Sequence, residues 1–167
     1  MEALGRLIDL SVDFVPVDLS AGANTGKLVS LRNCSGVAVV LFKGLEAGTD
    51  DPVLTFKESK DSSGTSKQNF AHGIDHYYQK AAVSLVAGTT WSKVTQAASA
   101  TVTLTSQAAN QGIYVFEVLA SQLTDGFSYL SVDTADAGAT AQLGGILYIL
   151  HDLEIQRTPA NLLAAST

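Results

Sequence analysis

Few residues in this chain have types that could do chemistry, and their spacing argues against most of it. His72 and His76 lie four apart, with Asp75 between them. On a helix that spacing would set two imidazoles on one face and could ligate zinc. Gly73 interrupts the stretch, which reads as a loop entering a strand, and residues four apart in a strand are ~13 Å apart, too far for one ion. Asp50, Asp51 and Asp61 could hold calcium through oxygens if a hairpin gathered them. No spaced Asp/Asn/Gly loop accompanies them, so solvated loop acids are the simpler reading. Cys34, the single cysteine, would need a histidine and an electropositive setting to act as a nucleophile. Its place in a turn beside an apolar strand predicts a small, partly buried thiol. Ser, His and Asp are all present, but no Gly-x-Ser-x-Gly elbow presents a serine. Gly22, Gly26 and Lys27 hint at a phosphate loop. However, three residues separate the glycines where the motif needs four, and Leu28 stands where a Ser or Thr would hold magnesium. Tyr77, Tyr78, Trp91 and Tyr114 could form a stacking platform for a sugar or a single-stranded nucleic acid. With aromatics at 7%, core or interface packing is the simpler expectation. The residues therefore predict no catalytic group, no cofactor and no metal.

The bulk properties narrow the function further. A length of 167 residues predicts one domain with a real core. Hydrophobic residues make up 46% and charged ones only 16%, with a mean hydropathy of +0.20. So little charge implies a surface of Ser, Thr, Ala and Gly, or one covered in an assembly. The net charge of -6 and the scattered basic residues disfavour nucleic acid, because no basic stripe exists to displace counterions from phosphates. A lone cysteine excludes an internal disulfide and fits folding in a reducing compartment. The N-terminus lacks a basic stretch followed by an apolar one, which predicts no signal peptide. No apolar run approaches the ~20 residues of a membrane helix, so no membrane partner is expected.

The elements that must position these residues read as strands. Gly36 to Lys43 is an almost unbroken apolar run with Val at three positions, the mark of a strand buried on both faces or nearly so. Lys27 to Arg32 reads as a strand before it. Asn33 to Gly36 is turn sequence, so the two predict a hairpin whose second strand lies mid-sheet. Ile8, Leu10, Val12 and Phe14 alternate with Asp9, Ser11 and Asp13, which predicts a half-buried strand with an acidic outer face. The phase flips at Phe14-Val15 and continues through Val17 and Leu19 around Pro16, which predicts a bulge at a sheet edge, or an arm pairing with a neighbour. Further strands are expected at 53–59, 76–80, 91–94, 101–105, 113–118, 127–132 and 141–150, the last pairing near the hairpin. One helical turn is expected at 119–123. Together they predict an all-β fold, a β-sandwich or barrel of jelly-roll or Greek-key type. Residues 1–154 would form its single domain, and 155–167 an extended tail, frayed or laid on a partner.

Several blocks in one order also resemble a known group. They are Asp18 to Gly26, Gly36 to Gly44, Asp50 to Phe56, Lys93 to Ala98 and Thr134 to Gly144. Across most of residues 10 to 150 they resemble small structural proteins encoded in the head-gene region of tailed bacteriophages. The resemblance implies a non-enzymatic virion component made in the bacterial cytoplasm. It would decorate or cement the capsid surface between major capsid subunits, as a homotrimer at local threefolds. Neck, tail or fibre-base placement is the alternative within the virion, and a carbohydrate-binding sandwich using Tyr77, Tyr78 and Trp91 is the alternative outside it. In the capsid reading the arms that contact neighbours would be the first strand, through Ile8, Leu10, Val12, Phe14 and Val17, and the tail, through Ile155, Leu162 and Leu163.

Overall fold

The apolar run that begins at Gly36 becomes the middle of a sheet. In the computed structural model, which describes residues 3–84, 89–162 and 165, it forms strand β3 (Cys34–Lys43). β3 is flanked by the two other long apolar strands, β9 (Gln111–Leu119) and β11 (Leu143–Leu153), both antiparallel to it. β1 (Ile8–Asp18) closes one edge on β11, while β6 (Ile74–Ala82) and β7 (Ser92–Ser99) extend the other, giving the order β1-β11-β3-β9-β6-β7. The second sheet has the order β2-β10-β4-β5, from β2 (Val29–Ser30), β10 (Tyr129–Thr134), β4 (Val53–Ser59) and β5 (Gln68–Asn69). β8 (Thr101–Thr103) pairs with the first part of β4.

The all-β fold expected from the sequence is present, as two packed antiparallel sheets. Its connectivity is that of a jelly roll. The first strand pairs with the last, β2 with β10, and β3 with β9, so the chain is a long hairpin wound across two sheets. β4 pairs with β5 and β8 in the second sheet, and β6 and β7 are additions that extend the first sheet beyond β9. The helical turn falls at Ala120–Gln122, as a 3-10 turn.

Two local expectations fail. Lys27 to Arg32 and β3 do not form a hairpin, because β2 belongs to the second sheet and pairs with β10. Both edges of β3 are taken by longer apolar strands, so the turn at Asn33 carries the chain from one sheet to the other. The faces of β1 are also inverted. Asp9, Ser11 and Asp13 are buried, while Leu10 and Val12 are 44% and 45% exposed. The register shifts between Val12 and Phe14, and again before Val17. That bulge lets Asp13 point inward while Phe14, one residue on, packs against the core.

The core between the sheets is built from the inner faces of the central strands. Val37, Val39 and Leu41 of β3 meet Tyr114, Phe116 and Val118 of β9, and the second sheet contributes Leu54, Phe56, Leu130 and Val132. Phe116 sits at the junction, its ring 5.2 Å from that of Phe56 and 5.1 Å from that of Tyr77. Among the described residues no helix is long and apolar enough to cross a membrane.

Candidate functional site

The candidate chemical groups do not converge. His72 lies in a turn and its Nε2 is 3.0 Å from the amide of Gln122, whereas His76 is on β6 with its Nδ1 2.6 Å from Asp75. His151 makes the same kind of contact with its own neighbour, Asp152, at 2.8 Å. Each is a pair of adjacent residues whose carboxylate is largely exposed, at 67% for Asp75 and 75% for Asp152. Among the described residues no cluster of three or more His, Cys, Asp or Glu could hold a metal.

The loop acids have structural roles. Asp51 accepts the backbone N–H groups of Ser106, Gln107 and Ala108, at 2.6, 2.7 and 2.8 Å. Asp61 organises its own loop by accepting from Ser63 and Thr65, and these hydrogen bonds, led by the Ser63 hydroxyl, hold its carboxyl below the ordinary range. Cys34 is buried, and loss of solvent pushes its thiol up to about 11, which leaves it protonated and unreactive.

The stretch that hints at a phosphate loop is already occupied by the protein's own acids. Gly26 N–H donates to Asp133 and Lys27 N–H to Asp13, at 2.9 and 2.6 Å. A side chain at Gly26 would collide with the backbone of Val132, so this glycine serves close packing against β10. The four aromatics of the expected platform divide. Tyr77 and Tyr114 are core residues, whereas Tyr78 lies on the outer side of β6 and Trp91, just before β7, is 52% exposed.

Among the buried polar groups that escaped the sequence reading are Asp13 and Lys43. Asp13 accepts from the Tyr148 hydroxyl at 2.7 Å, and that hydroxyl in turn accepts from Val132 N–H at 3.1 Å. The cluster links β1 to both sheets. Burial pushes the Asp13 carboxyl up to about 6 despite these hydrogen bonds. Lys43 Nζ is buried and donates to the carbonyls of Gly44, Ala108 and Asn110. Burial pushes its ammonium down to about 8, but all three protons are committed to carbonyls, so it is a strut with no free donor.

The feature that stands out is the outer face of the six-stranded sheet. One cross-strand row runs Val12, Leu147, Val40, Val115, Tyr78 and Lys93, and is apolar until its end. Leu10, Ile149 and Ala38 form the next row, which ends on the exposed Glu117 of β9, and Phe42 and Ile113 pair on the other side. Phe42 is 47% exposed. It is itself one wall of a shallow hollow of about 290 Å³, with Pro16, Lys43, Ile113 and Leu143 among the others. Polar residues ordinarily cover a sheet's solvent face. Of the residues expected to contact partners, Ile8, Leu10 and Val12 belong to this face, whereas Phe14 turns inward.

The tail lies on its own domain. Asn33 clamps Ile155 at both backbone groups, donating to its carbonyl and accepting its N–H, at 3.0 and 2.8 Å. Arg157 N–H reaches Gly5, and Ala165 N–H reaches Ser11 Oγ. Ile155 and Leu162 line a cavity of about 480 Å³ with Asp9, Leu28 and Leu150. Leu163 lies outside the described residues. Compared with known proteins, the chain matches no family, no curated protein and no solved structure.

Proposed function

We propose that this chain is a non-enzymatic structural protein of a tailed-bacteriophage virion, which decorates or cements the head by binding copies of itself and the major capsid protein. The observation that carries this reading is the apolar outer face of the six-stranded sheet. A sheet face rich in Leu, Val, Ile and Phe loses free energy to water unless something covers it, and covering it yields ~25 cal/mol per Å². The other features fit a load-bearing block. The buried acids and the buried lysine hold strands and loops together, and the tail is tied back to the domain. The jelly roll recurs in capsid proteins and also in lectins, so the fold alone supports the reading only by analogy. Burial of Tyr77 in the core removes one of the three aromatics, Tyr77, Tyr78 and Trp91, on which the sugar-binding alternative rests.

The test is quantitative mass spectrometry of purified particles from a tailed phage whose genome encodes this chain. Many copies in a simple ratio to the major capsid protein are expected. Absence from washed particles would overturn the reading.

A further inference from the structure

We propose that the cavity beneath the C-terminal tail is a binding site for a small aliphatic amine, whose ammonium pairs with Asp9 while its carbon chain lies against leucines and the tail acts as the lid. This goes beyond the structural-protein reading and does not depend on it.

The place of the cavity is the first argument. β1 ends the first sheet and β2 ends the second, and both line the cavity, so it occupies the open edge of the sandwich. Its volume of about 480 Å³ lies within the ~300–1,000 Å³ of ordinary small-molecule sites. A void of ~150 Å³ already holds a benzene ring.

The unpaired acid is the second argument. Asp9 is only 9% exposed and lines this cavity, yet its Oδ1 is buried without a hydrogen-bond partner. Among the described residues no Lys, Arg or His lies within ion-pair distance of it. A buried carboxylate left in that condition is costly, and a ligand that brings both a donor and a positive charge relieves the cost. Loss of solvent pushes the Asp9 carboxyl above its ordinary range, the backbone of Leu10 pulling the other way, as befits an acid short of partners.

The arginines at the same cavity do not fill that role. The Arg32 guanidinium donates to Ser128 Oγ and the Lys60 carbonyl and lies over the Tyr129 ring. Arg157 is exposed, and its backbone is pinned to Gly5. The remaining walls, Leu28, Leu150, Leu153, Ile155 and Leu162, are aliphatic and suit an unbranched carbon chain.

The tail supplies the lid. Arg157 N–H is tied to Gly5 and Ala165 N–H to Ser11, on either side of Asp9 in the chain, and Leu162 lies in the cavity wall between those ties. Residues 155–161 are all exposed. The tail is thus held mainly by hydrogen bonds worth ~1 kcal/mol each, and lifts far more readily than the sandwich opens. Oδ1 is shut off from water, so entry requires that movement.

Methyl NMR of the purified full chain, titrated to ~10 mM with hexylammonium, hexanoate or 1-hexanol, tests the proposal. Hexylammonium should give saturable shifts at the Leu28, Leu150 and Leu153 methyls, and should bind at least ~10-fold more tightly than the other two. Asp9→Asn, of the same shape without the charge, should remove that preference, while Arg157→Gln should leave it within ~3-fold. No saturable shift would overturn the proposal, as would equal or tighter binding of hexanoate or hexanol. Binding unaffected by Asp9→Asn would do the same. Binding seen only in Arg157→Gln would show instead that Arg157 is the partner of Asp9. If Asp9→Asn fails to fold, the ranking of the three probes on the native chain decides.

Discussion

The outer faces of the two sheets obey opposite rules. On the five-stranded sheet Thr55 is within 3.3 Å of Thr101, Asp133 takes Lys67 at 2.8 Å, and the Arg32 guanidinium lies over the Tyr129 ring. Such a face loses little to water. On the six-stranded sheet the equivalent positions are Val12, Leu147, Val40 and Val115. One chain made both, so the difference does not come from overall composition. It teaches that the two sheets present different surfaces: polar and paired on one side, largely apolar on the other.

Substitutions can break or sharpen this contrast. The largest effect belongs to the interior the two sheets share. Phe116→Ala removes a ring that meets both Phe56 and Tyr77, and should cost ~3–5 kcal/mol in denaturant unfolding while leaving both outer faces as they are.

The next effect is pH-dependent and belongs to β1. The Asp13 carboxyl ordinarily titrates at 3.8 and is pushed up to about 6 in the folded chain. The folded state therefore holds its proton more tightly, and this residue's contribution to stability falls as pH rises from about 4 to about 6. Above that window the charged form costs ~3 kcal/mol relative to an unshifted group. Asp13→Asn should gain relative to the native chain by up to that amount between pH 4 and pH 7. A pH-independent difference between the two would show that the buried carboxyl is not the cause.

Smaller effects separate the outer faces themselves. Phe42→Ser and Thr55→Ser should each change the stability of a single copy by less than ~1 kcal/mol, because both side chains are partly exposed. Only the first should change association. Smallest of all, Cys34 should react with a thiol reagent at pH 7 only as fast as the chain opens, since its thiol stays protonated and buried. Rapid labelling in native buffer would contradict that burial.

The contrast also shows what could be read from residue order. The central strands were legible because Gly36 to Lys43 and Leu143 to Leu150 are too apolar for anything but a sheet interior. The bulge near Pro16 was legible as a flip of phase. The direction of β1 was not. Alternation shows that one face is apolar, and the usual inference turns that face inward. Here the inner positions face Tyr148 and the backbone of Lys27, which satisfy Asp13, while the outer positions continue an apolar row across four strands. Both facts depend on partners more than 100 residues away for Tyr148, and 14 for Lys27. The false hairpin at Asn33 has the same origin. Local turn chemistry marked the reversal, but competition from β9 and β11 decided the pairing.

The most direct measurement is hydroxyl-radical footprinting of the native chain at low and high concentration, comparing the two outer faces in one sample. The account predicts that labelling of Leu10, Phe42 and Leu147 falls as concentration rises, while Tyr129 on the other sheet labels equally throughout. Equal labelling of both faces at every concentration would contradict it.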